Sequence, residues 1–131
     1  MTDDATHEPR CGAYWLLKRV ARGGTADIFR ALAGGTGDFT RVVAIKRMLA
    51  GLSADPEFAD MFIAEAKITS RLDHANIVQV FDFGLVDELL SLCMEYVQGF
   101  NVAELVGTLR AARQPVPIPE VCTIIIEALY G

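Results

Sequence analysis

Several residue types that build specialised sites are scarce in this sequence. There are three cysteines, at Cys11, Cys93 and Cys122, and two histidines, at His7 and His74. The cysteines are odd in number and far apart, without a Cys-x-x-Cys pair, and neither histidine has metal-ligand spacing around it. This pattern argues against a disulfide framework and against a metal site. We expect free thiols in a reducing compartment.

Basic charge and long apolar runs are also scarce. The 12 basic residues are outnumbered by 17 acidic ones, for a net charge of −5, which argues against a nucleic-acid surface. No apolar stretch approaches the roughly 20 residues of a membrane span, and the acidic N-terminus does not resemble a signal peptide. We therefore expect a cytoplasmic protein without a membrane segment or a nucleic-acid partner.

The first part of the chain predicts a β-hairpin around a glycine-rich turn. With 131 residues, 52% of them hydrophobic, the chain is long enough for one small domain with a core. After a disordered lead-in at residues 1–10, Tyr14–Val20 and Asp27–Leu32 have strand composition. The turn between them contains small residues: Ala21, Gly23, Gly24 and Ala26. Such a turn is either an ordinary hairpin connection or a loop whose amides cover a phosphate.

A lysine ends the next predicted strand. Val43–Lys46 is an apolar run that follows a flexible turn at residues 34–38. Lys46 is either a solvated cation or a charge held at the mouth of a pocket, with its stem packed on the strand. Asp55 and the proline after it then begin a helix, which carries Glu65 near its apolar surface. Glu65 is either a solvated charge or the ion-pair partner of Lys46.

Two more strands and two helices are predicted in the second half. Ile77–Gly84 and Leu89–Val97 have strand composition, and Asn101 with Glu104 has the spacing of a capping box. The helix that follows ends at a proline-rich break, and Pro119 begins a second, strongly apolar helix. The predicted class is therefore α+β.

The order of these segments resembles the N-terminal lobe of a protein kinase of the bacterial serine/threonine (Hanks) type. The resemblance runs from about Tyr14 to the last residue. It is carried by the glycine-rich hairpin, the Val-Ala-Ile-Lys strand, the helix with a glutamate, the His-x-Asn turn and a Met-Glu-Tyr-Val hinge. It implies a five-stranded antiparallel sheet with one packed helix, over residues 11–97. A hinge exit and two C-lobe helices, the last truncated, would occupy residues 98–131.

The resemblance also implies an ATP site. Lys46 would contact the α- and β-phosphates and pair with Glu65, as the catalytic pair that positions them. The other residues that it places around the nucleotide are Val20, Ala21, Gly23, Gly24, Ala26, Ile28, Ala44, Met94, Glu95 and Val97. Ala21 and Ala26 replace glycines of the usual G-x-G-x-x-G loop, which puts tight phosphate binding in question.

The family's catalytic and metal-binding motifs have no counterpart in this sequence. No H-R-D is present, and Asp82–Gly84 spells D-F-G but precedes the hinge, so we interpret it as strand. The chain alone is therefore predicted to be inactive, with Mg²⁺ and a protein substrate expected only in a full-length serine/threonine kinase. The alternative is a non-catalytic nucleotide-binding or partner-docking module. The exposed last helix also predicts self-association.

Overall fold

A computed structural model of the protein describes residues 10–34 and 40–131. Residues 1–9 of the predicted lead-in and residues 35–38 of the predicted turn lie outside the described residues. Two compact units are present. The first contains the described residues up to Asp73 together with Gln79–Tyr96, and the second contains His74–Val78 together with Val97–Gly131.

The first unit is built on one antiparallel β-sheet. Its strands are β1 (Arg10–Cys11), β2 (Tyr14–Arg22), β3 (Ala26–Gly34), β4 (Thr40–Met48), β5 (Val80–Val86) and β6 (Leu89–Glu95). They lie in the order β1-β2-β3-β4-β6-β5, and every neighbouring pair is antiparallel. The α+β kinase-lobe fold is confirmed, with six strands instead of five. The additional strand has only two residues and turns back at Gly12, whose φ is +58°, so it is too short to show an alternating pattern.

Strand β5 differs from its predicted limits at both ends. It begins at Val80 instead of Ile77 because the Ile77 amide donates to the His74 carbonyl in a turn. It continues to Val86 because the next two residues, Asp87 and Glu88, have φ values of 49° and 64°. Two consecutive positive φ angles suit a two-residue hairpin turn and let both strands keep their pairing up to it. Strand β6 ends at Glu95, two residues earlier than predicted.

Two hydrophobic clusters pack on the sheet. One includes Leu16, Ala31, Val43, Ile45 and the thiols of Cys11 and Cys93. The other joins Ala26, Met48 and Leu92 to Phe62 and Ala66 of the packed helix. Since neighbouring residues of a strand point to opposite faces, Ile45 packs in the first cluster and leaves Lys46 on the other face.

Two helices follow strand β4 in the first unit. They are α1 (Ala50–Ser53) and α2 (Pro56–Thr69). The predicted cap of α2 is confirmed, because the Asp55 carboxylate accepts a hydrogen bond from the Glu57 amide at 3.0 Å. The helix ends three residues before Leu72, which is 42% exposed.

The second unit contains helices α3 (Val102–Ala111) and α4 (Ile118–Tyr130). The predicted capping box of α3 is present, with Asn101 and Glu104 each bonded to the other's backbone amide. The Asn76 side-chain amide donates to both the carbonyl and the carboxylate of Glu127, at 2.8 and 2.6 Å, and so fixes the 74–78 segment to α4. Within the described part of the chain, no helix is both long enough and apolar enough to cross a membrane.

Candidate functional site

The register of the sheet places five of the predicted site residues of the first unit on one face. Ala21 of β2, Ile28 of β3 and Lys46 of β4 lie side by side across three strands. Ala44, two residues before Lys46, lies opposite Met94 of β6. Because side chains two residues apart on a strand share a face, these residues form one surface. Its apolar members could pack against a flat ring, beside the ammonium group of Lys46.

Lys46 is held by the helix that packs on this face. Its Nζ lies 2.7 Å from Glu65 Oε1 and 5.5 Å from the ring centroid of Phe62. The lysine side chain is 20% exposed and that of the glutamate is 55% exposed. Phe62 and Ala66 of α2 are buried against the sheet, and their packing presents Glu65 to the lysine. Lys46 and Glu65 are therefore ion-paired, which is the second of the two alternatives that the sequence allowed for each residue.

The glycine-rich turn between β2 and β3 is short and has a defined backbone. The Gly23 amide donates to the Ala26 carbonyl at 2.8 Å, and the Leu49 amide donates to the Thr25 carbonyl at 3.0 Å. A Cβ atom added at Gly24 would meet nothing within 4 Å, which leaves room for a ligand to approach the backbone. Ala26 is only 4% exposed and its side chain packs in the core.

Three predicted site residues, Val20, Glu95 and Val97, differ in their exposure and contacts. Val20 lies at a β-bulge of β2 and is 44% exposed. The amide of Glu95 donates to the Gln79 carbonyl at 2.8 Å, so this amide is already occupied. Val97 belongs to the second unit and is 63% exposed.

The D-F-G tripeptide lies in strand β5, as interpreted from the sequence. The carboxylate of Asp82 accepts hydrogen bonds from the Phe83 amide at 2.8 Å and from the Tyr14 hydroxyl at 3.4 Å. Burial is the main reason why the pKa of Tyr14 lies above its usual value. Across residues 10–34 and 40–131, no group of three or more acidic, histidine or cysteine side chains is arranged to hold a metal ion.

An ion pair that the sequence analysis missed lies at the base of the glycine-rich turn. Arg22 donates from Nε and from one terminal nitrogen to the two carboxylate oxygens of Asp27, at 2.7 and 2.9 Å. These hydrogen bonds hold the pKa of Asp27 below its usual value and raise that of Arg22. The signal in the sequence was the opposite charge of the two residues that flank Gly23–Ala26.

Comparison with known proteins identifies the family of the chain. A family model described as protein tyrosine and serine/threonine kinase matches residues 15–131. The chain belongs to the protein kinase family. Its curated relatives include the tyrosine-protein kinase MasK of Myxococcus xanthus, 38% identical over 120 residues, and the serine/threonine-protein kinase PrkC of Bacillus subtilis, 36% identical over 97 residues.

These alignments cover most of the kinase chain described above but little of each relative. They include 92% and 72% of this chain, against 19% of MasK and 14% of PrkC. A solved structure of the PknI kinase domain from Mycobacterium tuberculosis has a TM-score of 0.71 and 25% identity. That similarity covers 92% of this kinase chain and 46% of the PknI chain. The chain thus spans about half of the PknI kinase domain. Over that half, its strands and helices have the same fold as PknI.

Proposed function

We propose that this chain is the ATP-binding portion of a kinase that transfers the γ-phosphoryl group of ATP to serine or threonine residues of proteins. The observation that carries the proposal is the Lys46–Glu65 ion pair at 2.7 Å, on the same sheet face as Ile28 and Ala44. A kinase of this family uses such a lysine to hold the α- and β-phosphates. ATP is a cytosolic metabolite, so the proposal includes a cytoplasmic location.

The proposed ATP site divides into an apolar part and a polar part. Ile28, Ala44 and Met94 would pack on the adenine, with the exposed Val20 and Ala21 at the edge of the sheet. The Glu95 carbonyl would accept a hydrogen bond from the base, and the corresponding role of Val97 rests on the family resemblance alone. Burial of a purine against apolar side chains supplies affinity, and a few polar groups fix its orientation.

The polar part is assigned to Lys46, Glu65 and the turn from Gly23 to Ala26. The ammonium group would meet the phosphates, and the carboxylate would keep it oriented toward them. Open space at Gly24 supports a close approach of the backbone to the phosphate chain. Ala26 contributes through its backbone, because its side chain is buried. Mg²⁺, when bound in a full-length enzyme, neutralises charge on the phosphates.

The identity of the acceptor amino acid is the finer part of this proposal. Among the relatives, PrkC, Pkn1, PknE and PknB are named serine/threonine-protein kinases, whereas MasK is named a tyrosine-protein kinase. The sequence lacks the H-R-D motif, whose aspartate receives the acceptor proton in this family. We therefore expect ATP binding but no phosphoryl transfer from these 131 residues alone.

ATP binding can be tested directly on this chain. Thermal melting and titration calorimetry would compare ATP, adenosine and inorganic phosphate. A ligand present at a hundred times its Kd stabilises the folded state by about 2.7 kcal/mol. We expect ATP to raise the melting temperature by several degrees and to bind more tightly than adenosine. Absence of any shift at millimolar ATP would refute the proposed site.

Self-association is the remaining proposal about partners. Helix α4 exposes several large apolar side chains: Ile118, Ile124, Ile125, Ile126, Leu129 and Tyr130. Apolar surface of this kind favours association because contact removes it from water. We expect oligomers at micromolar concentration in sedimentation velocity experiments. We expect protein substrates to be bound only by a longer form of the kinase.

A further inference from the structure

The ion pair at the base of the glycine-rich turn has a specific place in the hairpin. Arg22 ends strand β2, Asp27 is the second residue of β3, and the two lie opposite each other as the last pair of the β2–β3 ladder. The Asp27 side chain is 9% exposed and that of Arg22 is 58% exposed. A planar guanidinium group that donates twice to one carboxylate fixes both the distance and the orientation of its partner. The pair therefore joins the two strands where the turn begins.

A β-bulge brings a second arginine to the same carboxylate. The register of β2 shifts between Arg19 and Ala21, so Val20 is an extra residue in the strand. In a regular strand, positions 19 and 22 would point to opposite faces. With the bulge, Arg19 also approaches Asp27, at 3.8 Å.

A third arginine flanks Asp27 from strand β4. Arg47 lies directly opposite Asp27 in the β3–β4 ladder, and its guanidinium group lies 4.8 Å from the ring centroid of Phe29. The positive charges of Arg19 and Arg47, like the hydrogen bonds from Arg22, favour the ionised form of Asp27. The carboxylate is thus surrounded by three cationic groups from two neighbouring strands.

The pair lies on the opposite side of the sheet from the proposed nucleotide face. Asp27 precedes Ile28, and adjacent residues of a strand point to opposite faces. Asp27 therefore lies on the other side from Ile28 and Lys46, which are paired across β3 and β4. The pair therefore does not touch a nucleotide on that face, so a positioning effect would be transmitted through the backbone of the turn.

We propose that Arg22 and Asp27 are positioning residues that hold the Gly23–Thr25 turn in the conformation that covers the phosphates of ATP. This inference rests on the proposed function and adds a pair of residues to it. The turn is already fixed at its far side by the hydrogen bond from Leu49 to Thr25, and the ion pair fixes its base. A turn that is ordered before binding loses less conformational entropy when the ligand arrives.

Positioning and long-range electrostatics predict different results for neutral variants. Replacing Asp27 by asparagine leaves three arginines without their carboxylate, so electrostatics alone predicts tighter binding of ATP. Replacing Arg22 by glutamine removes a positive charge, so electrostatics alone predicts weaker binding. If the pair acts by positioning, both variants weaken ATP binding, because either one breaks the bidentate contact.

The experiment measures ATP and adenosine affinity for R22Q, D27N and the double variant by titration calorimetry. Matched charge controls are R71Q and D73N, whose side chains are exposed in the turn after α2. We expect each single variant to weaken ATP binding about three- to tenfold and to leave adenosine affinity unchanged. The double variant should bind ATP no more weakly than the weaker-binding single variant, because its two changes remove one interaction.

Several outcomes would overturn the inference. Opposite effects of R22Q and D27N on ATP affinity would assign the pair to electrostatics, and equal losses for ATP and adenosine would assign it to general stability. If the unaltered chain binds ATP and both variants bind it equally well, the pair has no positioning role although the proposed function stands. If the unaltered chain binds no ATP, the proposed function fails and this inference fails with it.

Amide hydrogen exchange gives a readout without any ligand. The inference predicts faster exchange at Gly23–Thr25 in R22Q than in R71Q, with unchanged rates in strand β6. Arg22 is more than half exposed, so R22Q is expected to fold even if D27N does not. Unchanged exchange in the turn of a folded R22Q protein would contradict the proposed role of the pair.

Discussion

Replacing Lys46 by methionine separates the role of this lysine in binding from its role in folding. Methionine keeps most of the apolar stem and removes the ammonium group. The ion pair with Glu65 is partly exposed, at 20% and 55% for the two side chains, so its contribution to folding is at most about 1 kcal/mol. We therefore expect the melting temperature of the nucleotide-free protein to fall by only a few degrees.

The expected loss of ATP affinity is larger. A hydrogen bond to a charged group contributes about 1.5–3 kcal/mol, which corresponds to roughly a 10- to 150-fold change in Kd. Adenosine has no phosphate and should bind K46M as it binds the unaltered chain. In E65Q the lysine keeps its charge but loses its orienting partner, so the loss for ATP should be smaller, at most about tenfold.

Titration calorimetry with ATP and adenosine tests this prediction. K67M is the matched control, because Lys67 lies exposed in the last turn of α2. An equal loss of affinity for ATP and adenosine in K46M would show that the substitution disturbs the whole site. An E65Q defect as large as that of K46M would refute the assignment of the phosphate contact to the lysine.

Three further predictions concern folding. Leu16→Ala removes a side chain that is 2% exposed, and should lower the free energy of unfolding by about 3 kcal/mol in denaturant titration. Asn101→Ala removes half of the capping box, and should cost about 1 kcal/mol in the second unit. The pKa of Asp27 is lower in the folded state than the 3.8 of a free side chain. The ionised carboxylate therefore stabilises the fold above pH 3.8, and this stabilisation is lost as the pH falls through the lower pKa of the folded state. Acid unfolding should therefore be less steep in D27N than in D73N, and equal profiles would contradict this.

The kinase-like features of the chain were predictable because their signals are local. Residues a few positions apart determine the Asp55 cap, the capping box at Asn101 and the hairpin of β2 and β3. The D-F-G tripeptide was correctly placed in a strand because its position before the hinge excludes the family's metal-binding motif. The two-residue strand β1 gave no such signal, since its pairing depends on a turn at Gly12 and not on a periodic pattern.

The sequence by itself determined the order of the strands and helices other than β1 and α1, the candidate nucleotide residues and the family. Only the tertiary structure decided that Lys46 and Glu65 meet at 2.7 Å, because they lie 19 positions apart and the packing of α2 on the sheet brings them together. The bulge at Val20 likewise decided that Arg19 joins Arg22 at Asp27. One additional residue in a strand reverses which face its neighbours occupy, and pairing across strands sets that register.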